Sequence, residues 1–277
     1  MRVVRYSVAP DSHLISWGVL ELDVIRELTA PPWAGGEVTD RTITQDSVQL
    51  HAPVVPSKVI AIGRNSTAHA QEMGWAQSEP VLFLKPVSSL IGPRDAIVLP
   101  YETNQCEAEG ELALVIGRGG RRLNADRAQV AIAGFTIAND VSARDLMVQD
   151  GQWSRAKGFD TFCPVGPWVD TSFAGDHARI VTRIGPDVIQ DGAVDQMTLS
   201  APQIVAFAST VFRLEPGDLI LTGSPPGRRT LRHGDEVQIE IPGLGQLRNR
   251  VEMEKPGQED RRTATYRETA GFIGSEL

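Results

Sequence analysis

Three glutamates stand at every second position of this sequence, at Glu107, Glu109 and Glu111, directly before an apolar run that continues to Ile116. Side chains of a strand alternate between its two faces, so the spacing predicts that the three carboxylates point the same way. Like charges this close repel each other unless a cation neutralises them. Oxygen ligands suit a hard ion, Mg²⁺ first and Mn²⁺ or Ca²⁺ after it. The alternative is a strand face that leaves three glutamates in solvent.

A further carboxylate, Asp140, follows the apolar residues 133–138 and Asn139. The pattern predicts a strand that ends at this point, which places the carboxylate at a strand terminus. Such a group could complete a set of ligands on one side of an octahedral ion. Asn and Asp also favour turns and helix caps, and the spacing alone leaves both interpretations open.

His69 and Glu72 lie three positions apart in a segment of good helix formers that ends at Gly74. A helix places residues i and i+3 on one face, so the carboxylate can orient and polarise the imidazole. A histidine held in this way can act as a general base at neutral pH. The alternative is an exposed helical pair without a chemical role.

Lys157 lies between Trp153 and Trp168, in a stretch that mixes aromatic residues, prolines and charges. A lysine held there could stabilise a developing enolate or a carboxylate, and the alternative is an ordinary surface lysine. Other motifs fail: the glycines at 117–120 lack the last glycine of a dinucleotide fingerprint, and there is no serine-hydrolase elbow, phosphate-binding loop or zinc motif. We expect the neighbouring glutamates to raise the pKa of Cys106, which argues against a nucleophilic thiol.

The elements that must position these residues are mostly strands. Strands are predicted at 2–7, 14–24, 58–63, 80–84, 96–99, 111–116, 133–138, 219–222, 236–241 and 246–251, and longer helices at 124–131 and 202–210. The prolines, the glycines and the change in composition divide the chain into a small N-terminal β module at residues 1–52, a larger domain at 53–251 and a polar C-terminal tail at 252–277.

The composition excludes several classes of protein. The 277 residues include 35 acidic and 27 basic side chains, and the net charge is −8. A protein that grips nucleic acid by its phosphates needs a basic face, and the same argument disfavours docking on anionic membranes. No apolar run has the length of a membrane span, and the first residues do not form a signal peptide. The only cysteines, Cys106 and Cys163, are too few for a disulfide framework, so we expect a cytoplasmic protein with reduced thiols.

Several short motifs follow one another along the larger domain. They are Ala-Ile-Gly-Arg-Asn at 61–65 with His69 and Glu72 after it, Phe-Leu-Lys-Pro at 83–86, Glu-Gly-Glu-Leu-Ala-Leu-Val-Ile-Gly at 109–117, Asn-Asp-Val-Ser-Ala-Arg-Asp at 139–145, Lys-Gly-Phe-Asp-Thr at 157–161, Pro-Val-Gly-Pro-Trp at 164–168, Leu-Glu-Pro-Gly-Asp-Leu-Ile-Leu-Thr-Gly at 214–223 and Gly-Gln-Leu-Arg-Asn-Arg-Val at 245–251. In order and spacing, they resemble the fumarylacetoacetate hydrolase family.

The resemblance implies a mixed α+β fold that is mostly β, with a catalytic domain of the family's β-roll type and a small N-terminal β module. It implies that Mg²⁺ or Mn²⁺ is bound by Glu109, Glu111 and Asp140. Glu107 is then a neighbour of the ligands and not a ligand, which the spacing alone does not decide. A homodimer is also expected from the resemblance.

The same resemblance assigns the acid–base role to His69 and Glu72 and places Lys157 beside the metal. Contacts to the substrate would come from Arg64, Lys85, Arg144, Met147, Thr161 and Ser224. The expected substrate is a small anionic molecule, an acylpyruvate-like or 2-oxo-dicarboxylate compound.

Three functions follow as hypotheses. The first is metal-dependent hydrolysis of a carbon–carbon bond through a stabilised enolate, because the complete His-Glu pair could deprotonate the attacking water. The second is decarboxylation or isomerisation (tautomerisation) of a 2-oxo acid, such as a 2-hydroxyhepta-2,4-diene-1,7-dioate-like or oxaloacetate-like compound. The third is a non-catalytic member of the family that keeps the fold for binding.

Some positions depart from the family's usual pattern. Ser66 stands where tyrosine is common, Met147 where glutamine is usual, Ser224 where threonine is usual, and Arg228 and Arg229 where valine and glycine are frequent. The first changes remove polar contacts, while the two arginines could add contacts to an anion. We therefore expect the metal chemistry to be kept and the substrate to be atypical.

Overall fold

A computed structural model describes residues 1–8, 14–72, 74 and 79–255, and strands dominate its regular structure. The strands are β1 Arg2–Ser7, β2 Ser16–Glu21, β3 Val24–Leu28, β4 Val38–Thr44, β5 Gln49–His51, β6 Val59–Gly63, β7 Val81–Lys85, β8 Leu90–Ile91, β9 Ile97–Leu99, β10 Cys106–Glu107, β11 Gly110–Ile116, β12 Ile132–Asn139, β13 Ser142–Ala143, β14 Cys163–Asp170, β15 Arg179–Ile184, β16 Asp187–Ala193, β17 Leu219–Leu221, β18 Glu236–Ile241 and β19 Gly245–Met253. The helices are α1 Thr67–Glu72, α2 Ala125–Ala131, α3 Arg144–Asp150, α4 Ser154–Gly158 and α5 Ala201–Val211. The predicted mixed fold, mostly β, is confirmed.

The largest sheet has 12 strands, most of which follow the order β4-β3-β2-β1-β14-β12-β11-β17-β6-β7. Along this path β17 and β6 run parallel, and the other neighbours run antiparallel. The N-terminal strands continue the sheet because β1 pairs with β14, with Arg2 opposite Asp170 and Val3 opposite Val169.

A second sheet of five strands, in the order β16-β15-β18-β19-β9, packs against the first. The core between them contains Leu112 and Ile137 of the large sheet and Ile180, Ile239 and Leu247 of the second. In β18 the buried and partly exposed positions alternate, as expected for a strand with one face on the core. The second sheet therefore supports β11 and β12, the strands that lead to the acidic residues.

Helices α2 and α5 pack on the face of the large sheet that carries Leu114 and Ile220. The other face, with Ala113 and Leu219, closes a separate core together with the N-terminal strands. Coverage on both faces explains why β11 is buried over its whole length and why its sequence is continuously apolar. Asn124 caps α2 as predicted, because its side chain accepts a hydrogen bond from the Arg127 N–H.

Four strand ends meet at one edge of the large sheet. Gly110 at the start of β11 is opposite Asn139 at the end of β12. Further along β11, Ala113 is opposite Leu221 of β17, and Leu221 is opposite Ala61 of β6. The beginning of β11 therefore lies beside the ends of β12, β17 and β6, and the residues that follow these ends are brought together.

Most of the predicted elements occur at their predicted positions, but one predicted strand has different bounds. The strand predicted at 14–24 is shorter, because β2 ends at Glu21, the chain turns at Leu22, whose φ is 54°, and β3 begins at Val24. Of the predicted tail, residues 256–277 lie outside the described residues. Among the described residues, no helix combines the length and the apolar character needed to cross a membrane.

Candidate metal centre and active site

Three carboxylates meet at this edge of the large sheet. Glu109, Glu111 and Asp140 each offer one oxygen atom, and these oxygens lie within 4.8 Å of one another. Glu109 directly precedes β11, Glu111 is its second residue, and Asp140 directly follows β12, where the Asp140 N–H donates to the Glu109 carbonyl at 2.9 Å. All three side chains are buried. Within the described ranges, this is the one group of three metal-ligating side chains so close together.

Glu107 does not belong to this cluster, although its spacing predicted a shared strand face. The predicted strand is interrupted, so Glu107 lies in β10 and Glu111 in β11. β10 pairs with β13, whereas β11 pairs with β12 and β17. Glu107 accepts hydrogen bonds from Arg144 Nε at 2.9 Å and from Arg228 Nη2 at 3.0 Å. The alternation argument is wrong at this position because the two strands have different partners.

Side-chain cations surround the three carboxylates. Lys157 Nζ donates to Glu109 Oε2 at 2.5 Å and also to Asp140 Oδ2. Arg144 Nη2 donates to Glu109 Oε1. Lys85 Nζ donates to Asp140 Oδ1 at 2.6 Å. These contacts fix the orientation of two of the three carboxylates, since both oxygens of Glu109 and of Asp140 are engaged.

Lys85 and Thr161, which were predicted to contact the substrate, are buried and are not among the residues that line the cleft beside the cluster. The Lys85 side chain is fully buried, and its ammonium group donates to Asp140 and to the carbonyls of Val141 and Lys157. Thr161 Oγ1 accepts a hydrogen bond from the Val98 N–H at 2.8 Å. Lys85 therefore holds a carboxylate from behind, and Thr161 anchors β9.

The pKa values of Glu109 and Glu111 are shifted in opposite directions because the two carboxylates have different neighbours. Burial raises the pKa of Glu111, and the charges of Asp140 and Glu109 raise it further, well above its ordinary value. Burial acts in the same direction on Glu109, but Arg144 and Lys157 outweigh it and hold the pKa of Glu109 well below its ordinary value. Burial lowers the pKa of Lys157, but Asp140 and Glu109 outweigh burial and raise it overall.

The donor set fits a hard divalent ion. Glu111 Oε2 accepts a hydrogen bond from the Gly223 N–H at 2.6 Å, and in the described part of the chain Glu111 forms no ion pair with a basic side chain. A divalent ion among the three carboxylates would give Glu111 the cationic partner that no basic side chain among the described residues provides. Oxygen-only ligands match the chemistry of Mg²⁺ and Mn²⁺. The three residues that would hold the ion are Glu109, Glu111 and Asp140.

Helix α1 brings His69 to the cluster. Its Nδ1 lies 3.1 Å from Glu72 Oε2, and its Nε2 lies 3.5 Å from Glu109 Oε1. Ser66 Oγ accepts a hydrogen bond from the His69 N–H at 3.3 Å and so caps the helix that carries the histidine. Glu72 Oε2 also accepts a hydrogen bond from the Gly227 N–H at 3.0 Å. One imidazole nitrogen thus faces the carboxylates while the other is held by Glu72.

A cleft opens beside the cluster. In addition to the three carboxylates, His69, Arg144 and Lys157, it is lined by Ile62, Arg64, Met147, Trp153 and Ser224, among others. Met147 Sδ lies 3.5 Å from Arg144 Nη1, and the Arg64 guanidinium carbon lies 5.9 Å from the centre of the Trp153 ring. Apolar walls around a charged floor suit a small anion with a short carbon chain.

Two further residues shape the cleft, although the sequence analysis gave them no role. Asn65 Nδ2 donates to the Thr222 carbonyl at 2.7 Å and so ties the end of β6 to the end of β17. Trp153 stands over Gly63, where a Cβ atom would lie 2.4 Å from the Trp153 ring. The sequence signal for both residues was the glycine and asparagine at the end of an apolar strand, Gly63 and Asn65.

The two cysteines lie outside this chemistry. Cys106 and Cys163 are free and buried, and burial raises the pKa of each thiol to about 12. The expected raised pKa of Cys106 is confirmed, but burial is its main cause, and the charges of Asp145 and Glu107 add to it. A protonated thiol is a poor nucleophile.

Two family models match this chain. The first, described as fumarylacetoacetate (FAA) hydrolase C-terminal, matches residues 58–252, and the second, described as Rv2993c-like, N-terminal, matches residues 1–53. Protein Rv2993c of Mycobacterium tuberculosis is 44% identical over 230 residues, which cover 82% of this chain and 87% of that protein. The human mitochondrial oxaloacetate tautomerase FAHD2A is 41% identical over 223 residues, which cover 76% of this chain and 71% of that protein.

A solved structure shares the architecture over nearly the whole chain. It is the crystal structure of 5-carboxymethyl-2-hydroxymuconate delta-isomerase from Mycobacterium smegmatis, which matches with a TM-score of 0.85 at 40% sequence identity. The match covers 92% of this chain and 100% of that chain.

Proposed function

This chain belongs to the fumarylacetoacetate hydrolase family, and on that premise we propose that it is a divalent-metal-dependent tautomerase of a small 2-oxo dicarboxylate. The proposed substrate is an oxaloacetate-like compound that interconverts between its keto and enol forms. The relative named oxaloacetate tautomerase and the structure titled as an isomerase support an enzyme of this kind. The observation that carries the proposal is the charge of the site.

The charges of the site balance without a ligand when every carboxylate is ionised. The carboxylates are Glu107, Glu109, Glu111 and Asp140, and the same number of cations surrounds them, Lys85, Arg144, Lys157 and Arg228. The more exposed Arg64 and Glu72 add one charge of each sign. A divalent ion on the three ligand carboxylates would leave two positive charges, which a dianion neutralises. A 2-oxo dicarboxylate is such a dianion.

Tautomerisation removes the proton from the enol oxygen and adds a proton to the neighbouring carbon. His69 is suited to exchange these protons, because its Nε2 faces the carboxylate cluster and Glu72 holds its Nδ1. A carboxylate on the second nitrogen fixes the tautomer of the imidazole and stabilises its protonated form. When bound, the divalent ion supplies Lewis-acid stabilisation of the negative charge that develops on oxygen.

Other residues of the cleft orient the substrate and exclude water. Arg144 can donate its remaining Nη N–H groups to a substrate carboxylate, and Lys157 adds positive charge next to the developing enolate. Met147 and Trp153 form apolar walls. A dry site strengthens each electrostatic interaction.

Hydrolysis of a carbon–carbon bond, the reaction expected first from the sequence, is the second candidate. The His69–Glu72 pair favours it, since a histidine held by a carboxylate can deprotonate water. Decarboxylation of the same substrate class needs no water. Product analysis with an acylpyruvate and with oxaloacetate separates the three reactions: two acids form in hydrolysis, CO₂ is released in decarboxylation, and mass is unchanged in tautomerisation.

The test follows the ultraviolet absorbance of enol oxaloacetate with Mg²⁺ or Mn²⁺ present. We expect the wild-type protein to accelerate keto–enol equilibration, and His69→Gln to lower kcat about 100-fold or more because the proton-exchanging group is lost. His177→Gln is the matched control, because His177 Nδ1 also lies beside a carboxylate, 3.4 Å from Asp195 Oδ2, but on the surface. It should keep the wild-type rate.

Two outcomes would contradict these assignments. Wild-type protein that leaves the equilibration rate unchanged with either metal would reject the tautomerase, and cleavage of an acylpyruvate by the same sample would replace it with the hydrolase. A His69→Gln variant as fast as wild type would reject the acid–base role of the histidine.

A further inference from the structure

The loop after β17, residues 223–229, contacts three separate parts of the site. Its first residue, Gly223, donates a backbone hydrogen bond to Glu111 at 2.6 Å. Gly227 donates one to Glu72, the partner of the proposed proton-exchanging histidine, at 3.0 Å. The Arg228 side chain reaches the third part, the carboxylate of Glu107 beside the proposed metal ligands. From the sequence, Arg228 could add a contact to an anion, and the anion it binds in the structure is a side chain of the protein.

Arg228 begins a chain of charges that ends at a proposed metal ligand. Its Nε and Nη2 atoms form two parallel hydrogen bonds with Glu107, at 3.1 Å and 3.0 Å. Glu107 also accepts a hydrogen bond from Arg144 Nε at 2.9 Å, and Arg144 Nη2 donates to Glu109. The side chains of Glu107 and Arg144 are each 4% exposed, whereas that of Arg228 is 32% exposed.

Backbone hydrogen bonds fix the Cα positions of Glu107 and Arg144. They do not fix the direction of the Arg144 guanidinium. β10 pairs with β13, with Glu107 opposite Ser142, and the Arg144 N–H donates to the Gln105 carbonyl at 2.9 Å. Without Arg228, both oxygens of Glu107 would be available to Arg144. A bidentate pair between them would draw the guanidinium away from the cleft.

We propose that Arg228 is a positioning residue: by binding both oxygens of Glu107, it keeps the Arg144 guanidinium directed at the cleft, where that guanidinium receives a carboxylate of the substrate. Arg228 is not among the residues that line the cleft, so its effect passes through Glu107 and Arg144. The inference rests on the anionic substrate of the proposed function, but not on which reaction that substrate undergoes.

The test measures the affinity for oxalate, a dianion with the chelating end of a 2-oxo acid, by calorimetry with Mg²⁺ present. We expect Arg228→Gln to weaken oxalate binding. In the tautomerase assay, this variant should raise the KM for oxaloacetate about tenfold, with a smaller change in kcat. Arg228→Lys should fall between this variant and wild type, because lysine keeps the charge but cannot form the two parallel hydrogen bonds.

Arg229→Gln is the matched control. Arg229 lies in the same loop, its side chain is 33% exposed, and it pairs with Asp187 and Asp235 instead of the site. This variant should bind oxalate as wild type does. If Arg228→Gln binds oxalate no more weakly than Arg229→Gln, the positioning role is overturned.

A double-mutant cycle separates positioning from direct contact with the ligand. If Arg228 acts through Glu107, then Arg228→Gln adds little to the loss of oxalate affinity caused by Glu107→Gln. Additive losses would overturn the proposal. Thermal melting checks that each variant folds, and Arg144→Lys replaces Glu107→Gln in the cycle if the latter does not fold.

Failure of this inference and failure of the proposed function give different results. A protein without tautomerase activity whose oxalate affinity falls in Arg228→Gln keeps the positioning role and loses only the reaction. An active protein whose Arg228→Gln variant keeps the wild-type oxalate affinity and KM loses only the positioning role. Wild-type protein that binds no oxalate overturns the inference, because there is then no anion site to position.

Discussion

Asp140 receives an ammonium group on each of its two oxygens, Lys85 on Oδ1 at 2.6 Å and Lys157 on Oδ2 at 2.5 Å. The two lysines differ in what else they face, because Lys157 lines the cleft and Lys85 is buried behind Asp140. A buried carboxylate is costly unless it is paired and hydrogen-bonded. Lys85 therefore stabilises the folded site, whereas Lys157 is also placed to meet a ligand.

Removing Lys85 tests this division at the residue scale. We expect Lys85→Met to lower the free energy of unfolding by about 3 kcal/mol, because one oxygen of a buried carboxylate loses its cation. Lys58→Met is the control: Lys58 Nζ lies 2.6 Å from Asp218, but Asp218 keeps hydrogen bonds from Ser57 and Glu215. Its expected loss is about 1 kcal/mol. Urea unfolding without added metal measures both, and equal losses would contradict the special position of Lys85.

Among the connecting elements, the loop at 223–229 depends on a glycine for its close approach to β16. Gly227 has a φ of 122°, and a Cβ atom there would lie 1.8 Å from the Ile189 carbonyl oxygen. Gln190 Nε2 donates to the Pro225 carbonyl at 2.9 Å, so β16 supports the loop. Packing against the second sheet thus fixes the N–H group that orients the carboxylate beside His69.

A methyl group at Gly227 should therefore affect catalysis. We expect Gly227→Ala to lower kcat about tenfold or more, because the displaced backbone no longer holds Glu72. Gly234→Ala is the matched control, since Gly234 has a φ of 88° but no atom within 4 Å of an added Cβ. It carries a backbone strain of about 1 to 2 kcal/mol without the clash. Melting temperatures and the tautomerase assay measure both variants, and equal kcat values would rule out the proposed role of the loop.

At the scale of the whole molecule, the charge of the chain and the charge of the cleft differ. The net charge of −8 disfavours the approach of a dianion from a distance. The cations that pair with the buried carboxylates come from β7, α3, α4 and the loop after β17, which only the fold brings together. Attraction for an anion is therefore local and depends on the fold and on a bound divalent ion. The homodimer stays a prediction.

Metal addition tests the site through the stability of the whole chain. At an ion concentration 100 times its Kd, binding should stabilise the folded state by about 2.7 kcal/mol and raise Tm by roughly 5 to 10 °C. The double variant Glu109→Gln with Glu111→Gln should show no shift. The control pair Glu252→Gln with Glu254→Gln has the same spacing on an exposed strand end and should keep the shift. A metal-dependent rise in Tm that remains in the Glu109→Gln, Glu111→Gln variant would rule out the proposed metal site.

Sequence patterns predicted the features that depend on residues close together in the chain, such as strand and helix bounds. β1 and β18 have the predicted bounds, and the caps and periodicity placed α2 and α5 to within a residue or two. The His69–Glu72 contact at 3.1 Å also followed from the sequence, because a helix brings residues three apart together whatever surrounds it. The set of three proposed ligands came from the family motifs, because the spacing alone made Glu107 as good a candidate ligand as Glu109.

Only the tertiary structure decided which distant residues meet. It paired the strand of Glu107 with a different partner from the strand of Glu111, buried Lys85 and Thr161 outside the lining of the cleft, and paired Arg228 with a carboxylate 121 positions away. Periodicity and turn chemistry act over a few residues, whereas these contacts depend on which strands pair and which faces pack. The sequence by itself therefore determined the elements and the kinds of chemistry they carry, and the arrangement of the sheets decided which side chains share the site.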